Sequence, residues 1–303
     1  MKLLPILSVL SVLASFLVPF SAADGAPVQH RILCCDYTGG RVAIVSAKGE
    51  IEWEFPAKNP MDCWLLPNGN VLFCHHPGAL EVTPDKKVVW EYKAPKGAQC
   101  DACQPLPDGR VLIAESFMSR LIEVNHDGTI AKEIKIDSHP KVVSHQFRGT
   151  RKTADGHYIV CLMDEKKVLE LDGDGKVVKE IPVEGHNHAA VRLPNGNMIV
   201  TLWDKTKVVE LDPSLKVVWE VGESELPNNT LRIPTGVQRL ANGNTIICNF
   251  IGHGFIGKQP QVIEVTPAKK VVWEFADHAR FKTVNEIQII DTPADVVKGE
   301  AVR

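Results

Sequence analysis

No stretch of this chain is strongly basic: its 34 Lys and Arg are scattered, 37 Asp and Glu outnumber them, and the net charge is −3. A nucleic-acid partner needs a concentrated positive surface, so that class is excluded. Long acidic and low-complexity tracts are also missing. After Phe20 no apolar run is long enough to cross a bilayer as a helix. No Cys/His run has zinc-finger spacing. Asp172-Gly173-Asp174-Gly175 lacks the later ligands and the closing Glu of a calcium loop, which leaves it a turn.

What the chain does carry is a repeated sentence. A turn of the type Asn-Gly or Asp-Gly stands at Asn68-Gly69, Asp108-Gly109, Asp155-Gly156, Asn195-Gly196 and Asn242-Gly243. Two short apolar runs follow each turn, and the unit closes on Trp-Glu at Trp53, Trp90, Trp219 and Trp273, with Lys132 and Lys179 in place of Trp in two copies. A period of roughly 40 to 50 residues carrying only strand signals predicts a β-propeller. Third-strand runs recur six times, from Arg41-Val42-Ala43-Ile44-Val45 to Val262-Ile263-Glu264-Val265. The expected fold is therefore all-β, a six-bladed propeller of four-stranded antiparallel blades. Blade 1 lacks its innermost strand, and the run Val284 to Ile290 is the spare that completes it and closes the ring.

Met1-Lys2, the apolar stretch Leu3 to Phe20 and the small residues Ser21-Ala22-Ala23 read as an export leader cleaved after about Ala23. That implies a secreted or periplasmic protein with residues 24–291 as the propeller, no membrane span after cleavage, and 292–303 as a solvated polar tail. Export would favour disulfides among the eight cysteines, but their positions argue otherwise. If the turns are two-residue hairpin loops, the residue five past each Gly faces the residue six before it. These positions hold Cys74, Cys161 and Cys248 on one side and Cys63 and Cys103 on the other, with Cys34 at the matching place in blade 1. Cysteine there acts as a compact apolar residue between blades, and Cys63 opposite Cys74 is the one pair spaced for a bridge. Cys100 and Cys103 have a redox spacing but open a strand, without the helix N-terminus that stabilises a thiolate.

Because the first two strands of each blade are antiparallel, all blades present one mouth at the end opposite the turns. Met61, Asp101, Arg148, His188 and Thr235 form its ring, paired with His76, Ser116, Met163, Trp203 and Phe250. One step below, Asp62 is expected opposite His75, and Gly236 opposite Asn249. The approach segments add His145 and His186, and a Gly-rich connection, residues 251–260, forms a flap carrying His253. Packing positions are uniform while the mouth varies, the signature of a binding site on a symmetric scaffold. Candidate catalytic residues are His188, Arg148, His145 and His186; candidate ligand contacts are Asp101, Trp203, His76, Asp62, His75, Thr235, Asn249 and His253.

The units Leu193-Pro194-Asn195-Gly196-Asn197 and Asp172-Gly173-Asp174-Gly175-Lys176-Val177-Val178, with the Trp-Glu endings, resemble the pyrroloquinoline-quinone-like propeller superfamily, including its six-bladed arylsulfotransferase-like branch. Adjacent cysteines such as Cys34-Cys35 occur in eight-bladed quinoprotein dehydrogenases, but six blades and the packing place of Cys34 argue against the quinone as a cofactor. The resemblance to arylsulfotransferases implies sulfuryl transfer with His188 as nucleophile, Arg148 neutralising the sulfuryl oxygens and His145 or His186 moving the phenolic proton. The residues themselves leave other readings open: a mouth that binds a glycan fragment or aromatic compound, a divalent-metal-assisted lyase or hydrolase acting on sugar acids, or a scaffold for a protein partner.

Overall fold

The computed structural model describes residues 29–291, 296–298 and 303; the predicted leader lies outside them. Six four-stranded antiparallel sheets form the blades of a propeller. The closing strand Val284–Ile289 pairs antiparallel with Ile32–Asp36 and shares its sheet with Arg41–Val45 and Ile51–Pro56. Burial follows position in the blade. Strands such as Ile32–Asp36 and Met198–Leu202 are buried at every residue, because neighbouring blades cover both faces. The outermost strands, such as Val88–Lys93, keep only alternate residues inside.

The blade endings explain the one irregularity of the repeat. Trp90 Nε1 donates to the Asn125 carbonyl (3.3 Å) and Trp219 Nε1 to the Pro267 carbonyl (2.9 Å), each in a turn of the next blade. Where Lys stands instead, the ammonium makes the equivalent bond, Lys179 Nζ to the Pro213 carbonyl at 3.0 Å and Lys132 Nζ to the Gly173 carbonyl. Both residue types put an N–H donor at the tip of a long apolar stem, so the exchange conserves the inter-blade bond.

The hairpin loops differ from the expectation. Gly69 N donates to Leu66 O and Leu66 N to Asn70 O, which makes a three-residue loop with Gly69 left-handed at φ +84°. The other four turns repeat this geometry, and the side-chain oxygens of Asn68, Asp108, Asn195 and Asn242 each accept the backbone N–H two residues on. One extra loop residue moves the register by one: Cys74 faces Asp62, and Cys63 faces Phe73. Cys63 and Cys74, the one pair spaced for a bridge, therefore do not face each other, and all eight cysteines are buried free thiols, as their packing positions predict.

The terminal segment also departs from the expected solvated tail. Val296 is buried against Trp64 and its neighbours, and Arg303 is buried in the central channel. There Arg303 Nη2 lies 2.9 Å from Asp62 and 3.3 Å from Glu286, while Arg151 Nη1 lies 2.7 Å from Asp62. Both guanidinium groups sit over the Trp64 ring, at 4.2 and 5.1 Å.

At the ring seam His30 lies edge-on to Trp273 and bridges Glu264 (2.8 Å) and Asp291. Burial alone pushes its pKa down, but the two carboxylates outweigh that and hold it above the ordinary value. A raised folded pKa adds stability that is complete below the unfolded value of about 6.5 and is lost as pH rises through the folded value. The chain is therefore expected to melt a few degrees lower at pH 8.5 than His30 linkage allows at pH 6, with His30→Gln reducing that difference. Thermal melts of both proteins across this range check it; an unchanged pH dependence in the variant would show that His30 does not hold the seam.

Candidate functional site

A second irregularity, in the innermost strands, builds the site. In every blade the ladder between the inner two strands slips by one residue near the mouth, between Pro60 and Asp62, Cys100 and Ala102, Phe147 and Thr150, Asn187 and Ala190, Pro234 and Val237, and Val284 and Glu286. The bulged stretches hold Met61, Asp101, Arg148, His188, Thr235 and Asn285. A β-bulge bends the strand and re-aims the side chain it carries. Five of these six residues, all but Asp101, line one cavity of about 300 Å³ at the mouth. Gly149 permits this crowding: a Cβ there would stand 3.0 Å from the His188 carbonyl oxygen.

Of the predicted residues, His188, Arg148, His145, Trp203, His76, Thr235 and His253 line the cavity. Tyr37, Gln99, Ser144, Ile233 and Asn285 line it without having been predicted. Asn285 sits on the closing strand, which no Asn-Gly or Asp-Gly turn follows, so offset counting could not reach it. Tyr37 lies just after the first strand of blade 1, and nothing in the repeat marks it.

The remaining candidates serve elsewhere. Asp101 stands behind Arg148, its Oδ1 3.1 Å from Nη1, and accepts from Gln99 Nε2 at 2.8 Å. Asp62 is no mouth residue. It belongs to the buried charge cluster with Arg151 and Arg303, and its carboxylate also accepts from the Cys63 and Cys103 amides. Asn249 clamps two loops, accepting from the Arg232 and Ile233 amides and donating to the Thr230 and Pro260 carbonyls. His75, paired with Pro60 and Gly78, does not line the cavity. His186 stacks on Trp203 at 5.8 Å between centroids, with Asp164 and Asp204 at 3.4 and 3.5 Å from its two nitrogens. It braces the indole and lies outside the cavity lining.

Aromatic rings follow one another around the rim. His76 meets Tyr37 at 5.6 Å, Tyr37 meets Phe250 at 5.9 Å, Phe250 meets His253 at 6.0 Å, and His253 meets Trp203 at 6.2 Å, with His145 beyond it at 6.2 Å. Three imidazoles of the cavity, His188, His145 and His76, are held toward the neutral form. Burial, with Arg148 beside it, pushes His188 down to about 3. Burial lowers His145 too, helped by Arg148, and lowers His76 against the opposing pull of Asp101. Arg148 is thus the permanent cation among the lining residues. Its Nη1 is taken by Asp101 and the Phe147 carbonyl (3.0 Å), whereas its other nitrogens make no hydrogen bond within the described residues. Asn285 Oδ1, His76 Nε2 and Trp203 Nε1 are buried polar atoms likewise without a partner within the described residues. Among the described residues no group of three His, Cys, Asp or Glu side chains is placed to hold a metal ion.

No family model matches the chain, and no curated protein matches it by sequence. Solved structures do. A protein of unknown function from Bacteroides caccae superposes with a TM-score of 0.79 at 27% identity, over 88% of this chain and 100% of that one. A streptogramin B lyase gives 0.57 at 16% identity over 72% of each chain. A catalytically inactive histidine-to-alanine form of virginiamycin B lyase from Staphylococcus aureus, with quinupristin, gives 0.56 at 18% identity over 73% of this chain and 74% of that one. What the lyases share with this chain is the propeller fold.

Proposed function

We propose that the chain is an exported propeller that binds a small ring-bearing molecule at the mouth, through the aromatic rim and the Arg148 guanidinium. The observation that carries this is the convergence of bulged residues from separate blades on one cavity, surrounded by ring faces and holding unpartnered polar atoms. Buried polar groups without partners cost stability, and a ligand that completes their bonds recovers it. The repeat resemblance to the arylsulfotransferase-like branch supports the same end of the channel as the site.

A soluble panel of phenols, aromatic acids and sugar acids, followed by ligand-detected NMR, tests the reading. Binders should share one site, and Trp203→Ala should weaken them about 30-fold, the consequence of losing an aromatic anchor worth about 2 kcal/mol. Binding that is indifferent to replacement of Trp203, His188 and Arg148 would sink the mouth as the site.

His188 favours a second reading, catalysis. A neutral imidazole beside a guanidinium has a free lone pair for attack and a cation to receive developing charge, which suits sulfuryl transfer through a sulfated histidine. Incubation with an aryl sulfate should then release the phenol and raise the intact mass by one sulfuryl group, and His188→Ala should abolish both. An unchanged mass with no phenol released would leave binding as the function. A metal-assisted reading would need a converging donor set, and among the described residues no three His, Cys, Asp or Glu side chains form one.

A further inference from the structure

We infer that the ligand is a small hydroxylated aromatic acid: one planar ring bearing a carboxylate and a hydroxyl. The inference rests on the mouth-binding reading and sharpens it to a chemical class. Size is the first constraint, because about 300 Å³ admits one or two rings and not an oligosaccharide chain. The walls are the second. Trp203, Phe250, Tyr37, Met61, Met163 and Ile233 give ring faces and thioethers, which suit a flat apolar body. A sugar ring presents a hydroxyl at nearly every carbon and would turn some of them onto these apolar side chains, which a flat aromatic ring does not.

Polar atoms supply the rest. Arg148 offers the nitrogens that Asp101 and Phe147 leave free, and a guanidinium edge matches a carboxylate in both charge and shape. The neighbouring imidazoles, His188 and His145, are held toward the neutral form, so the cation offered to the ligand is Arg148, backed by Asp101 on its Nη1 and open at its other nitrogens. Asn285 is 3% exposed, and its Nδ2 is committed to the Met61 carbonyl at 3.0 Å, which fixes the amide orientation. Asn285 lines the cavity, and its Oδ1 is a buried acceptor without a partner among the described residues. Only a donor satisfies it, and a phenolic O–H on the ring provides one without adding charge.

Calorimetry on the whole chain tests the class with 3- and 4-hydroxybenzoate, benzoate, the hydroxybenzoate methyl esters and glucuronate. One hydroxybenzoate should bind tightest. Esterification, which removes the anion, should weaken it about 10- to 100-fold, and loss of the hydroxyl about 3- to 10-fold. Arg148→Gln should erase the difference between acid and ester. Asn285→Leu should erase the difference between hydroxybenzoate and benzoate, and Asn285→Asp, which keeps an acceptor oxygen, should preserve it. If either variant fails to fold, the ligand comparisons on the unaltered chain still decide. Glucuronate binding best, with Trp203→Ala weakening it, would overturn the aromatic class and leave the mouth reading intact. Panel binding unaffected by Trp203→Ala would overturn both, and no binding by any member would overturn the class.

Discussion

An Asp62→Ala variant is expected to melt about 10 °C or more below the parent, a loss of roughly 3–5 kcal/mol for breaking a buried ion cluster. Asp62 is 2% exposed and gathers two guanidinium groups, Arg151 and Arg303, together with the backbone amides of Cys63 and Cys103. Among the described residues, removing it leaves Glu286 as the carboxylate side chain within reach of Arg303, at 3.3 Å, and burial already pushes that carboxyl up against the pull of Arg303. Two guanidinium groups facing one reluctant carboxylate cannot be neutralised inside the channel. They must move toward water, which breaks their packing on Trp64. A matched control is Asp62→Asn, which keeps side-chain acceptor capacity while losing the charge and should fall between parent and alanine variant. Thermal melts of the three proteins at pH 7 decide it; an alanine variant that melts with the parent would show that the cluster contributes little net stability.

Asp62 also shows where sequence reading stops. Its neighbour Met61 sits at the mouth, and a plain strand would have let counting from Gly69 place both residues. Two local features defeat that counting. The Asn-Gly turns take a three-residue loop with one left-handed glycine, although the same dipeptide suits a two-residue loop. The bulge then adds a second slip within the same strand. Blade count, strand number and ring closure survive both slips, because they depend on the spacing of whole runs. Facing pairs one step below the mouth do not survive them, which is why counting from the turn glycines puts His75, Asn249 and Asp62 there although none lines the cavity.

The ring of bulged residues was legible for a different reason. Met61, Asp101, Arg148, His188 and Thr235 all stand eight places before a turn glycine, and an offset within one strand is independent of cross-strand register. What no offset could show is how Arg148 is shared with Asp101, or that His186, two residues before His188, braces Trp203 from behind. Those are tertiary facts, set by which side chains meet once six blades are closed.

Closure gives the largest expected effect of all. A chain ending at Thr283 should be insoluble or should lose its cooperative melting transition. Val284, Ile287 and Ile289 are buried on the closing strand, each worth roughly 1.5–3 kcal/mol, so together they rival the 5–15 kcal/mol by which an ordinary domain is stable. The strand also reaches beyond its own sheet: Gln288 Oε1 accepts from the Leu65 amide at 2.8 Å, and the Ile289 amide donates to Gln238 Oε1 at 2.9 Å. It therefore ties blade 1 to blades 2 and 6 at once. Without it Ile32–Asp36 becomes an apolar, unpaired edge, a template for association with other chains. A chain ending at Asp291 keeps the strand but loses Val296 and Arg303, and its melting point should fall between the two. Expression, solubility and thermal melts of the two truncations beside the full chain check the order. If the chain ending at Thr283 melted like the full one, the ring would not be held closed by this strand, and the propeller would owe its stability to contacts between adjacent blades alone.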